Sequence, residues 1–220
     1  MDYSQIALYL LGAAITFFIV NRAMFAALKG RIMTIGIWKR LGIRHLAVAL
    51  VCVYLFVETV SALYPMHAAF RFSLMGWLFG GDGYNVAFAP AIVAGENGGA
   101  LGKVFAIAFL SALTVAMPSF NVEEEKAFRQ GKNLWNDIPI QSAVFGAIHI
   151  TAGVPVAICV ALMLVGVIWH IAYKLRYDKM IRFGFEKELA ELEATFESAA
   201  HHNAFNNLGL ATLAFFLIWK

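Results

Sequence analysis

The chain has 220 residues, enough for one compact domain, of which 61% are apolar and only 14% charged. A soluble domain carries about 25% charged residues, so much of this surface must face something other than water. The net charge of +3 is small, and the basic residues are scattered through loops, not gathered into the basic stripe of a nucleic-acid-binding face.

A helix needs about 20 apolar residues to cross a bilayer. Ile6 to Val20, extended through Met24 to Leu28, supplies the first span, preceded only by Asp2 and so read as a retained helix, not a cleavable signal. The link that follows holds Lys29, Arg31, Lys39, Arg40 and Arg44 with no acidic residue. By the positive-inside bias it is cytoplasmic and the N-terminus outside. His45 to Leu63 is the second span, closed by Tyr64-Pro65, with Glu58 expected at a hydrogen-bonded place inside the bundle. Met66 to Phe79 carries His67 and Arg71 and ends at Gly80-Gly81-Asp82-Gly83, the pattern of an interfacial or re-entrant piece. Val86 to Val93 is too short to span, and Ala94-Gly95-Glu96-Asn97-Gly98-Gly99 reads as an outside loop.

Leu101 to Met117 is the third span; Pro118 follows it, then a polar helix around Glu123 to Arg129. Ile138 to Ile150 is a shorter apolar segment and Val154 to Tyr173 a full span. In the charged stretch Lys174 to Glu197, apolar Phe185, Leu189, Leu192 and Phe196 recur at three- and four-residue steps, which predicts an amphipathic helix on the cytoplasmic surface. Ala204 to Trp219 closes the chain. The fold expected is all-α: a single integral membrane domain over residues 1–220, a polytopic bundle of about six crossings, with an amphipathic cytoplasmic helix near 174–200 and both termini outside. Cys52 and Cys159 lie in apolar runs without a pairing pattern and read as packing residues. His45 and His170 sit at span ends and read as interfacial.

An ionisable group at bilayer depth costs about 2.5–3.5 kcal/mol on insertion scales and is a functional candidate by default. Three segments stand out: Glu123 to Arg129, Phe145 to His149, and His201 to Asn207. Positions four apart share a helix face. Glu125 and Arg129 can therefore pair, which leaves Glu124 pointing elsewhere; Phe145 can pack on His149; and His202 and Asn206 project together. One carboxylate, two imidazoles and one carboxamide from three helices suffice for hydrolysis. A carboxylate and an imidazole can hold and deprotonate a water. A second imidazole and an amide can donate to the oxygen that becomes negative when a carbonyl is attacked.

At these residues the chain resembles the CPBP family of intramembrane glutamic proteases, the family of the CAAX prenyl endopeptidases and many bacterial members. Its motifs EExxxR, FxxxH and HxxxN are matched in order by Glu124 to Arg129, Phe145 to His149 and His202 to Asn206. The match covers roughly residues 101–220. The residues before His202 include Glu191, Glu193 and Glu197, where the family has apolar ones. The resemblance implies that Glu124 and His149 activate water, that His202 and Asn206 form the oxyanion hole, and that Glu125, Arg129 and Phe145 support them. It implies a metal-independent endopeptidase without cofactor, acting near a membrane-embedded or lipidated segment of a peptide substrate. The small size and absence of targeting signals favour a bacterial inner membrane. The partners expected are lipids, that substrate and other membrane subunits, and no nucleic acid. Two other readings stay open: a non-catalytic subunit or scaffold of a membrane complex, and zinc held by Glu124, His149 and His202. The lack of HExxH weakens the zinc reading.

Overall fold

A computed structural model describes residues 3–74, 77 and 89–219, and every described element is helical. In chain order these are α1 (Tyr3–Leu28), α2 (Arg31–Arg40), α3 (Ile43–Leu63), the single turn α4 (Ala68–Arg71), α5 (Ala89–Asn97), α6 (Gly99–Phe128), α7 (Asp137–Ile148), a 3-10 turn (His149–Ala152), α8 (Val156–Arg182) and α9 (Lys187–Trp219). The Gly80 to Gly83 segment, and Val86 to Phe88 of the short apolar run, lie outside the described residues.

Helices α3, α6 and α8 are long and apolar enough to cross a membrane, and the α1–α2 pair makes a fourth if its 84° bend belongs to one span. The bend has a cause. At α1's end the Gly30 amide donates to the Phe25 carbonyl, and α2 then leads with charge, from Arg31 to Lys39 and Arg40. The outer faces carry large exposed apolar residues, among them Phe17, Leu50, Tyr54, Leu101 and Leu164. In water such a surface would be an aggregation hazard; against lipid it is matched.

Long-range contacts give the directions of the helices. Lys103 near the start of α6 reaches the Ile218 carbonyl at the end of α9, while Glu125 near the end of α6 meets Ser198 near the start of α9. The two helices are therefore antiparallel. Likewise Gly131, before α7, donates to Tyr173 of α8, and Gly146 near the end of α7 lies against Cys159 and Met163 near the start of α8.

Several expectations need revision. Ala94 to Asn97 is the end of helix α5 and not a loop. The Gly98 amide donates to the Ala94 carbonyl, and α6 begins one residue later. A Cβ on Gly102 would lie 2.0 Å from that carbonyl oxygen, so the glycines here serve a tight helix-to-helix approach. The polar segment after Pro118 is not a separate helix, since α6 runs without a break for 30 residues through a buried Pro118.

The stretch near 174–200 is likewise divided between two long helices. Residues to Arg182 extend α8, and the rest from Lys187 begin the 33-residue α9. Between them Gly184, at φ +82°, lets the chain reverse. Of the predicted stripe, Phe185, Leu189 and Leu192 are exposed, whereas the buried face is made of Ala190, Ala194, Thr195 and Ser198. Small residues win that face because they let α9 approach its neighbours closely. Charges on it are paired: Glu193 meets Arg40 at 2.8 Å and Arg176 at 2.9 Å. Hydrogen bonds from Arg40 and Arg176 hold the Glu193 carboxyl below the usual range despite its partial burial.

Glu58, expected inside the bundle, is exposed on α3. His45 and His170, expected at the interface, are buried. Periodicity alone cannot say which face of a uniformly apolar helix turns inward. Both cysteines are free and buried, as packing residues should be.

Candidate functional site

Glu125 is the centre of a polar cluster with no solvent exposure. It lies four residues before Arg129 on α6, and an Arg129 guanidinium nitrogen (Nη1) stands 2.7 Å from its Oε1. Ser198 of α9 donates to Oε2. His202, one turn further along α9, approaches Oε1 with Nδ1 at 3.1 Å. A carboxylate can only accept, so Nδ1 carries the proton. Arg129 is buried too, with the faces of Phe145 and Trp169 at 5.0 and 5.7 Å and the Gly166 carbonyl as a further acceptor. One buried ion pair thus ties α6 to α8 and α9.

Glu124 points away from this pair, with 38% of its side chain exposed, and its Oε2 lies 3.6 Å from His202 Nε2. That is beyond direct hydrogen-bond length. His202 is therefore flanked by carboxylates on both ring nitrogens while being only 4% exposed. Its ring stacks on Trp169 at 3.9 Å and 22°. Glu191, Glu193 and Glu197 before it on α9 do not lift it to the surface, since Glu191 meets Asn133, Glu193 its two arginines and Glu197 a pair of histidines.

His149 sits at the end of α7, where its Nδ1 lies 2.7 Å from the Phe145 carbonyl. The carbonyl fixes the proton on Nδ1 and leaves Nε2 free to take one. His149 and His202 rest on the same Phe145 ring, with centroid distances of 4.8 and 5.8 Å, both edge-on. No direct hydrogen bond or ion pair joins His149 to Glu124 among the described residues. Asn206 donates through Nδ2 to Asn121 Oδ1 at 2.9 Å, and the same nitrogen lies 3.5 Å from Met117 Sδ, a weak acceptor.

Sequence reasoning missed Asn121, Ser198, Trp169 and Asn203. Asn121 donates on to Asn203, so a row of carboxamides runs behind Asn206. Asn121 and Ser198 were findable, because each lies one helical turn before a residue already singled out, Glu125 and His202 respectively. Asn203 lies inside the His201 to Asn207 segment, three residues before Asn206, whereas Trp169 carries no such mark.

Gly146 lets α7 lie against α8, since a Cβ there would meet the Cys159 carbonyl oxygen at 2.5 Å and the Met163 amide nitrogen at 2.8 Å. Neither backbone atom can move aside. Gly146→Ala is expected to cost at least the ~1–3 kcal/mol of ordinary overpacking, read as a lowered unfolding midpoint in detergent.

Among the described residues the group of ligand atoms close enough to share one metal ion is His45, Glu197 and His201. Glu124, His149 and His202 do not form such a group, which removes the geometric basis for zinc at this site. No family model, curated protein or solved structure matches the chain.

Proposed function

We propose that the chain is an intramembrane endopeptidase of the CPBP type, in which glutamate and histidine activate water without a metal at the reacting centre. The observation that carries this reading is the burial of Glu125, Arg129, Ser198 and His202 as one network with Glu124 at its open edge. A buried ion pair of this kind is costly to build and contributes little net stability, so its value lies in fixing neighbouring groups.

In the reaction, water held between Glu124 and the Nε2 of His149 attacks a peptide carbonyl carbon. The water's proton passes to Glu124 or His149, and the carbonyl oxygen takes up negative charge. Asn206 Nδ2 has one N–H on Asn121 and a second facing only the Met117 sulfur, which the oxyanion replaces. Protonated His202 would present Nε2–H beside it. Collapse breaks the C–N bond, and the stored proton goes to the leaving amine.

In this reading α1, α3, α6, α7, α8 and α9 are the crossings, the basic α1–α3 link and the α8–α9 turn face the cytoplasm, and the N-terminus is outside. The paired charges Arg40–Glu193 and Arg176–Glu193 fall on that inner side, in keeping with the positive-inside bias. The membrane in this reading is a bacterial inner membrane, and the substrate is a peptide with a membrane-embedded or lipidated segment.

A non-catalytic subunit is the second reading, favoured by the lack, among the described residues, of a direct hydrogen bond or ion pair between Glu124 and His149. Glu124→Gln separates the two. In proteoliposomes presenting lipidated and single-span peptides, the wild type is expected to release a new C-terminal fragment and the variant to lose that turnover at an unchanged unfolding midpoint. Equal turnover in the two proteins sinks the hydrolytic reading.

A further inference from the structure

On the side of α9 away from His202, a second cluster has no part in the reaction above. Glu197 and His201 lie four residues apart on α9 and so share a face. His45, in the first turn of α3, comes to meet them. All three are buried, at 6%, 6% and 1% exposure. One carboxylate oxygen, Glu197 Oε1, lies 3.4 Å from His45 Nε2 and 3.4 Å from His201 Nε2.

Hydrogen bonds between nitrogen and oxygen fall at about 2.7–3.2 Å, and His45 Nε2, though buried, has no hydrogen-bond partner. A tetrahedral zinc with bonds of roughly 2.0–2.1 Å to nitrogen and oxygen sets its ligand atoms about 3.3 Å apart. The two carboxylate–imidazole separations of 3.4 Å match ligand atoms around one ion, and all three ligand atoms lie within 4.8 Å of one another. Two imidazoles and a carboxylate are also a donor set that suits zinc and its first-row neighbours.

We propose that His45, Glu197 and His201 form a binding site for a divalent transition-metal ion of the zinc class. The ion would join the start of α3 to α9, one residue from His202, and so clamp the helix that carries the candidate oxyanion donors. A cavity of about 430 Å³ bordered by Trp38, Gly42 and Asn207 reaches the His45 edge of the cluster.

Two contacts compete with the ion. Arg44, whose side chain is 67% exposed, reaches Glu197 at 3.0 Å and must swing outward. The Gly42 amide donates to His45 Nδ1 at 3.2 Å, and this bond must open, because His45 can ligate through Nε2 only with its proton on Nδ1. Gly42 is partly exposed, so its amide can find another acceptor. Binding also requires both imidazoles neutral, which makes it weaken as pH falls.

The test uses tag-free, full-length protein in detergent, titrated with zinc chloride by calorimetry and with cobalt chloride by visible absorption. One ion per chain is expected, with the absorption of a low-coordinate cobalt centre. His45→Ala and His201→Ala should each lose more than the roughly 10–100-fold in affinity that an outer-shell partner costs. Arg44→Ala should bind more tightly, because it frees Glu197. Should the histidine variants fail to fold, the cobalt spectrum of the wild type decides, because a low-coordinate imidazole–carboxylate centre absorbs strongly in the visible and a loosely held hydrated ion does not. Absence of saturable binding, binding retained in both histidine variants, or weaker binding in Arg44→Ala overturns the proposal. The inference does not rest on the hydrolytic reading: Glu124→Gln, which ends turnover there, should bind the ion unchanged.

Discussion

Glu125→Ala is expected to destabilise the protein by about 3–5 kcal/mol, the usual cost of leaving one half of a buried ion pair alone. Arg129 cannot escape, since it is 1% exposed and enclosed by Phe145 and Trp169. The rings attract its charge, but a cation–π contact is worth about 0.5–2 kcal/mol and is already present with Glu125 in place. His202 loses its acceptor in the same step, while Ser198 keeps the Trp169 carbonyl at 3.0 Å. The reverse change, Arg129→Ala, should cost a similar amount by stranding the carboxylate. The double variant Glu125→Ala/Arg129→Ala removes both charges and should cost less than the two single losses added together. Denaturant unfolding in mild detergent measures all three. Simple additivity would show that the pair is not the tie between α6, α8 and α9.

That network also marks what the sequence disclosed and what it withheld. The i,i+4 spacing of Glu125 and Arg129 forecast their pairing, and that of Phe145 and His149 forecast the packed rings. The apolar runs at His45 to Leu63 and Leu101 to Met117, and all but the first two residues of Val154 to Tyr173, lie in helices long enough to cross a membrane. Spacing within one helix is local geometry, and local geometry is readable. Which face turns inward is set by partners distant in sequence. Glu58 therefore ended exposed, and His45 met a carboxylate more than 150 residues away. The Ala94 to Gly99 run misled for a related reason. Glycines there signal close packing of two helices, and the same letters in a soluble protein would signal a turn. The charges before His202 suggested a surface segment because their counterions, Arg40, Arg44 and Arg176, lie on other helices.

Within the hydrolytic reading, Asn206→Ala is expected to lower kcat by about 10²–10³, or ~2.7–4 kcal/mol, the loss that follows removal of one oxyanion donor. KM should change little, since the interaction matures only as the carbonyl oxygen becomes charged. Asn121 touches no reacting atom in this reading; it acts by accepting from Asn206 Nδ2 at 2.9 Å and turning the second N–H toward the site. It is a positioning residue, so Asn121→Ala should lower kcat by less than Asn206→Ala does. The decisive measurement is the double variant. If Asn121 works through Asn206, removing both should slow turnover no further than removing Asn206 alone, a departure from additivity that independent sites do not show. Losses that instead multiply would mean that Asn121 contributes by another route, such as its own bond to buried Asn203, and the carboxamide row would then be part of the bundle's packing and not a mount for the oxyanion donor.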